Sequence, residues 1–252
     1  MLDFVKDWVR PRPPRSSRSR SAPPAALDRE TLARAYLRGH GLEIGALHQP
    51  LVVPAAARVQ YVDRLPVAEL RRHYPELRDW PLVEPDILDD GETLSKVTEE
   101  SQDFVIANHF LEHCEDAIGT LRNLRRVLRT AGILYLAVPD KRFTFDRDRP
   151  VTPLGHLYAD HLLGPAASRR QHLEEWVWLV NKAQDQAEAE QQLEYLESIR
   201  YSIHFHVWTP PAWLEFILAM QREQGWDLEA FVQHGPEMIT ILKRAADAAC
   251  PA

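Results

Sequence analysis

Cysteine is almost missing from this chain of 252 residues: only Cys114 and Cys250 occur, and there is no CxxC pair. That excludes a disulfide framework, removes the usual thiolate set of a structural zinc site, and fits a reducing cytoplasm. No run of about 18 apolar residues exists, so no transmembrane helix is expected. The first residues also lack the apolar stretch of a secretory signal. There is no GxGxxG, which argues against a dinucleotide site. Internal repeats are absent as well.

What is present is an apolar content of 45% in a chain long enough to bury a real core. The net charge of −7 is unevenly spread. Lys6, Arg10, Arg12, Arg15, Arg18 and Arg20 outweigh Asp3 and Asp7, leaving an acidic body that makes a poor nucleic-acid binder. Residues 11–24 are all Pro, Arg, Ser and Ala and cannot bury apolar area. Residues 1–26 therefore read as a basic, flexible arm. A short apolar patch of Leu2, Phe4, Val5, Trp8 and Val9 precedes the Pro/Arg/Ser run.

From Leu27 onward the chain alternates. Asp28 is placed to cap a helix that ends before Gly39. Strand-like runs follow at 41–45, 59–63, 82–87, 104–109 and 133–139. Between them the clearest helix is 117–129, where Leu121, Leu124, Val127 and Leu128 share a face. Such alternation predicts a parallel sheet covered on both sides. Later, Thr209 and Pro210 open a helix that Gly225 closes, and 227–233 and 238–243 read as a hairpin turning at Gly235. The expected fold is α/β: a Rossmann-like, seven-stranded, mostly parallel sheet with a terminal antiparallel hairpin.

Residues 140–206 interrupt this pattern. They hold a charged loop, a helix from about Ser168 with Leu173, Trp176, Val177 and Val180 on one stripe, and a solvent-facing Gln/Glu/Ala-rich stretch at 184–192. The expected organisation is a core of 27–139 and 207–245, with 140–206 as a helical cover on the acceptor side.

Ligands of open α/β sheets bind beyond the carboxyl ends of the strands, and here several strands end in polar residues. In residues 41–45, GLEIG, Glu43 stands two before Gly45. The glycine lets backbone approach a ligand, and the acid suits the ammonium of an amino-acid-bearing cofactor. Asp63 lies about twenty residues on, where an acid accepts from both ribose hydroxyls.

Together, Glu43-Ile44-Gly45, Asp63, Asp86-Ile87 and the segment DFVIANHFLEHCED at 103–116 resemble the class I S-adenosylmethionine-dependent methyltransferases, in particular their type 11 group. The likeness spans roughly 40–140 and 208–244. It implies S-adenosyl-L-methionine as cofactor and S-adenosyl-L-homocysteine as product. It also implies that Asp63 binds ribose, that Asp86 and Ile87 contact adenine, and that Asn108 and His109 lie beside the methionyl part. Ala46, Arg64 and His113 complete the expected cofactor set. One departure stands out: Gly45 is followed by Ala46, Leu47 and His48, without the family's second loop glycine, in a chain with only 10 glycines.

A methyl transfer to a hydroxyl needs alignment and a base, and histidine suits that task. The candidates are His109, then His206 and His204, with Asp140. His204 and His206 alternate in HFHVW, so an extended segment turns both to one side. Two histidines with Asp140 offer a ligand set for a divalent metal, but the spacing demands none and no metal ligand is assigned. Lys141 and Arg142 are placed to grip an acidic acceptor, with Phe143 and Phe145 stacking on it. The reading is O-methylation of a sugar, glycan precursor or secondary metabolite by a monomer or homodimer. The alternatives are N- or C-methylation of a natural product, or a non-catalytic binding protein with a degenerate cofactor loop.

Overall fold

The computed structural model describes residues 27–246. The basic arm, its apolar patch and Cys250 lie outside them. The chain runs α1 (Arg29–Tyr36), β1 (Gly39–Ile44), β2 (Ala57–Asp63), α2 (Val67–His73), β3 (Ile87–Leu88), β4 (Gln102–Asn108), α3 (Ala117–Val127) and β5 (Leu128–Pro139). Then come α4 (Leu154–Leu163), α5 (Arg169–Glu175), α6 (Gln186–Ser198), α7 (Pro210–Gln224), β6 (Trp226–His234) and β7 (Glu237–Arg244).

The seven strands form one sheet in the order β3-β2-β1-β4-β5-β7-β6. Strands β1 to β5 pair in parallel, and only β7 runs against its neighbours. The expected fold class is thus the observed one. Chain order reverses between β1 and β4, and that switch point opens a crevice beyond their carboxyl ends.

Strand alternation divides the core. Val105 and Ala107 of β4, with Leu134 and Leu136 of β5, pack under α3 and α7 with Leu121, Leu124, Trp213 and Phe216. Phe104, Ile106, Tyr135 and Ala137 face the other way, toward Leu32, Leu37, Ile239 and Ile241. Both faces are covered, as apolar parallel strands require. Asp28 caps α1 through Thr31 N–H at 2.9 Å, and Asp116 caps α3 through Gly119 N–H at 2.8 Å. Trp213 Nε1 donates to Thr240 Oγ1 at 2.8 Å, so its buried indole is satisfied.

Two expectations need correction. The third strand is two residues long, not six. Pro85 has no N–H to give, and Val83 N–H turns away to Leu47 O at 2.7 Å. Helix α3 ends at Val127 because Leu128 already pairs with Gln102 in the sheet. The Gln/Glu/Ala-rich stretch at 184–192 is mostly solvent-facing, as expected, but it opens helix α6, capped by Asp185, which turns Ala189 and Gln192 inward with Leu193 and Leu196.

The segment 140–206 also holds α4, which the sequence reading missed. α5 runs into a π-helical turn at Trp176–Val180. Leu173, Val177, Leu193, Leu196, Ile203 and Phe205 form a small cluster of their own. Among the described residues no helix is long and apolar enough to cross a membrane.

Candidate active site

The crevice at the switch point is a cavity of roughly 680 Å³. One end is built by strand termini. Glu43 and Ile44 end β1 and Gly45 and Ala46 follow it, Asp63 ends β2 and Arg64 follows it, and Asn108 ends β4 and His109 follows it; all line the cavity. The other end is aromatic, with His113, Phe145, Trp176, Tyr195, Tyr201 and His204.

Glu43 is buried, and both its oxygens accept from Leu51 N–H, at 2.9 and 3.1 Å. Burial raises its pKa to about 7 despite that bond. Burial likewise raises the pKa of Asp63, whose Oδ1 accepts from Leu65 N–H at 3.2 Å. Arg64 donates to His73 Nε2 at 2.9 Å. Gly45 has φ +63°, and a Cβ there would meet open space. Two residues on, Leu47 has φ +48°. The loop therefore keeps a left-handed turn with a leucine, at a cost of about 1–2 kcal/mol relative to glycine. The buried amide of Asn108 has no hydrogen-bond partner among the described residues.

His109 has φ +49°. Its Nδ1 lies 3.2 Å from Glu112 Oε1, and its Nε2 lies 3.0 Å from Glu237 Oε1. Arg29 grips the same Glu237 carboxylate at 2.9 and 2.7 Å. Burial works against a charge on His109, but the two carboxylates outweigh it and raise its pKa. Each ring nitrogen of His109 thus faces a carboxylate oxygen, Glu112 on one side and Glu237 on the other.

His204 is arranged differently. Its Nδ1 lies 2.7 Å from Asp146 Oδ2. Asp146 is fully buried, and its other oxygen accepts from Arg149 at 3.0 Å. Burial opposes ionisation, yet His204 and Arg149 bring the Asp146 pKa to about 2. His113 packs edge-on against His204 with ring centroids 4.6 Å apart. Burial, then the neighbouring His204, lowers the His113 pKa to about 4, and its Nδ1 sits 3.0 Å from Ile203 O.

Other candidates sit elsewhere. The exposed Asp86 accepts from Tyr61 N–H at 2.8 Å and closes the edge of β2, while Ile87 packs on the core. Neither lines the cavity; Asp90, Gly91 and Glu92 do. Asp140 is fully buried outside the cavity and holds the side chains of Arg142 and Gln233. Lys141 Nζ donates to Arg147 O at 2.7 Å, and Phe143 is exposed under Arg142. Of the four acceptor-clamp residues only Phe145 faces the cavity.

His206 is fully buried away from the cavity, so the two histidines of HFHVW do not share a site. No ladder holds that segment in a pleat; Phe205 and His206 N–H both turn to Glu112 O, at 2.7 and 3.3 Å. Asp146, Glu112, Glu92 and Glu237 were missed by sequence reasoning. For Glu112 a signal existed: it stands three residues past His109, across the tight turn that leaves β4.

Residues 44–136 match the family model described as "Methyltransferase domain". A search of curated proteins finds no match. The chain is similar to a solved structure described as putative Zn-dependent alcohol dehydrogenases from Rhodobacter sphaeroides, with TM-score 0.55 and 16% identity over 89% of this chain and 92% of that one. It is similar to a putative methyltransferase from Bacillus halodurans, with TM-score 0.43 and 12% identity over 84% and 96%. It is also similar to the CurJ carbon methyltransferase, with TM-score 0.43 and 14% identity over 84% of this chain; there it spans half of the longer protein. The likeness at TM-score 0.55 and 16% identity speaks for the fold alone.

Proposed function

We propose that this chain, which carries a class I S-adenosylmethionine-dependent methyltransferase domain, moves a methyl group onto a hydroxyl of a small-molecule acceptor. The residues at the strand termini fit the cofactor. Glu43 offers a buried carboxylate to the methionyl ammonium, Asp63 an acceptor to the ribose hydroxyls, and Gly45 an open backbone face. The unpartnered Asn108 amide is a polar group awaiting a ligand. Asp90 and Gly91, rather than Asp86 and Ile87, line the cavity for the adenine. When bound, the cofactor supplies an electrophilic methyl on a sulfonium.

The chain's own residues do the rest. Residues 27–139 and 207–245 act as the cofactor-binding core, and 140–206 as the acceptor-side cover. Phe145, Trp176, Tyr195 and Tyr201 give an apolar, aromatic surface for a sugar face or a ring. The observation that carries the hydroxyl reading is the 2.7 Å contact between His204 Nδ1 and Asp146. The aspartate fixes the tautomer with a proton on Nδ1, which leaves Nε2 as the lone pair that takes the acceptor's proton. His109, with a carboxylate beside each ring nitrogen, is a positioning residue rather than the base.

The test is calorimetry with S-adenosylmethionine and S-adenosylhomocysteine, then transfer of radiolabelled methyl to a panel of sugars, phenols and amines. Binding of both, with turnover on hydroxyl acceptors, is expected. No binding at millimolar ligand sinks the cofactor assignment, and turnover on amines alone sinks the hydroxyl.

A further inference from the structure

A second cluster of chemistry lies outside the cavity. His156 and Asp160 stand one turn apart on α4, His172 is on α5, and His206 is on the return segment that leads into α7. Asp160, His172 and His206 are buried, and His156 is partly exposed. One ligand atom from each converges, all within 4.8 Å of one another.

His156 Nε2 is 3.0 Å from His172 Nε2. Asp160 Oδ2 is 3.3 Å from His156 Nε2, 3.7 Å from His172 Nε2 and 3.8 Å from His206 Nε2. A tetrahedral Zn2+ with bonds of about 2.0–2.1 Å puts its ligand atoms about 3.3 Å apart. The spacings bracket that value. The rings also stand edge-on, at 88° for His156 with His172 and 87° for His172 with His206, so they radiate from a shared centre rather than stack.

The hydrogen bonding points the same way. Asp160 Oδ1 accepts from Ser168 Oγ. Its buried Oδ2, facing three imidazoles, accepts no hydrogen bond among the described residues. A buried carboxylate oxygen without a donor is costly unless a cation faces it. For His206 Nε2 the competing partner is the Glu115 carbonyl at 3.4 Å, a long contact that a metal bond replaces with a stronger one.

We propose that His156, Asp160, His172 and His206 together bind one tetrahedral transition-metal ion, Zn2+, through three imidazole nitrogens and one carboxylate oxygen. With four protein ligands the site is closed, so its role is structural. None of its ligands lines the cavity. The ion ties α4 and α5 to the segment that carries His204 two residues before His206. It therefore sets the acceptor wall of Trp176 and His204 and leaves the cofactor end alone. The proposal runs against the expectation drawn from scarce cysteine: histidine and aspartate suffice.

The experiment is elemental analysis of the full chain purified without chelator, followed by cobalt substitution. About one zinc per chain is expected. Co2+ should give the intense visible bands of tetrahedral coordination. Stripping with a strong chelator should lower the melting temperature by at least about 5 °C, restored by Zn2+ and not by Mg2+. Asp160→Asn and His172→Ala should each cut metal occupancy at least about tenfold, while His204→Ala leaves it intact. His156→Gln, at the most exposed ligand, serves if the buried variants do not fold; retained S-adenosylhomocysteine binding certifies its fold. A chain that neither holds nor takes up Zn2+ or Co2+ at micromolar metal overturns the proposal. So does equal occupancy in a folded ligand variant.

Discussion

His204 Nδ1 lies 2.7 Å from Asp146 Oδ2, although 58 residues separate them in the chain. Asp146 is held in turn by Arg149, whose guanidinium also donates to the carbonyls of His204 and Phe205 at 2.6 and 3.2 Å. The proposed base and its orienting acid are thus clamped by one buried arginine. Replacing Asp146 removes the nearer of two acids on that buried arginine and leaves only Glu175 at 3.5 Å, so Asp146→Asn mixes stability with catalysis. His204→Gln is the cleaner change. With a hydroxyl acceptor it should lower kcat by about 10²–10⁴-fold and leave cofactor affinity within about twofold. Steady-state kinetics beside calorimetry separate the two. A His204→Gln enzyme with wild-type kcat would remove the base from this residue.

If Glu43 holds the methionyl ammonium as proposed, cofactor binding is expected to depend on pH. Burial raises its pKa to about 7. Below that value the free site holds a neutral carboxyl and offers the methionyl ammonium no charge. Above it the carboxylate is present. Affinity for S-adenosylmethionine should therefore rise as pH goes from about 6 to about 8, and Glu43→Gln should flatten the profile. The same shift acts oppositely on folding. A raised pKa for an acid means stability present below its unfolded value of about 4.5 and lost as pH rises through about 7. Chemical denaturation of the ligand-free chain at the two ends of the range checks the second sign.

Asp63 and Asp86 were read alike in the sequence, as acids at strand ends, and the structure parts them. Asp63 lines the cavity, while Asp86 spends its carboxylate on Tyr61 N–H at the sheet edge. Asp63→Ala should weaken cofactor binding at least about a hundredfold, through two lost hydrogen bonds to a charged acceptor. Asp86→Ala should cost about 0.5–1.5 kcal/mol of stability and change affinity less than about threefold. Paired titrations decide it; equal losses of affinity would return Asp86 to the adenine site.

The end of the cavity built by strand termini was legible because its residues are local. Glu43 to Ala46, Asp63 and Asn108 each end a strand, and strand order alone converges them. The aromatic end was not legible for the opposite reason. Asp146 sits in the run DRDR, which reads as solvated charge, yet Asp146 and Arg149 are buried while Arg147 and Asp148 stay exposed. Nothing local distinguishes the two pairs; the return of His204 across the insertion does. Asp140, Lys141 and Arg142 misled in a related way, because Arg142 folds back on Asp140 two residues away. The spacing of His156 and Asp160, four apart, was a signal in plain view, but α4 had not been recognised as a helix.

Gly45 separates what the loop needs for folding from what it needs for binding. Its φ of +63° is left-handed, so any L residue there is strained by about 1–2 kcal/mol. A Cβ at Gly45 would meet no atom of the protein within 4 Å. Gly45→Ala should thus lose only that backbone cost in stability, read from the shift of its denaturation midpoint. Cofactor binding should suffer more. The new methyl occupies the open face that the cofactor is proposed to approach, and affinity should fall more than tenfold, about 1.4 kcal/mol beyond the folding cost. Leu47 supplies the control. It already bears φ +48° with a side chain attached, so Leu47→Gly relieves strain while removing half-buried apolar surface, two terms of about 1 kcal/mol and opposite sign. Its stability should stay near wild type. If Gly45→Ala binds S-adenosylmethionine as the wild type does, the cofactor does not lie against this turn.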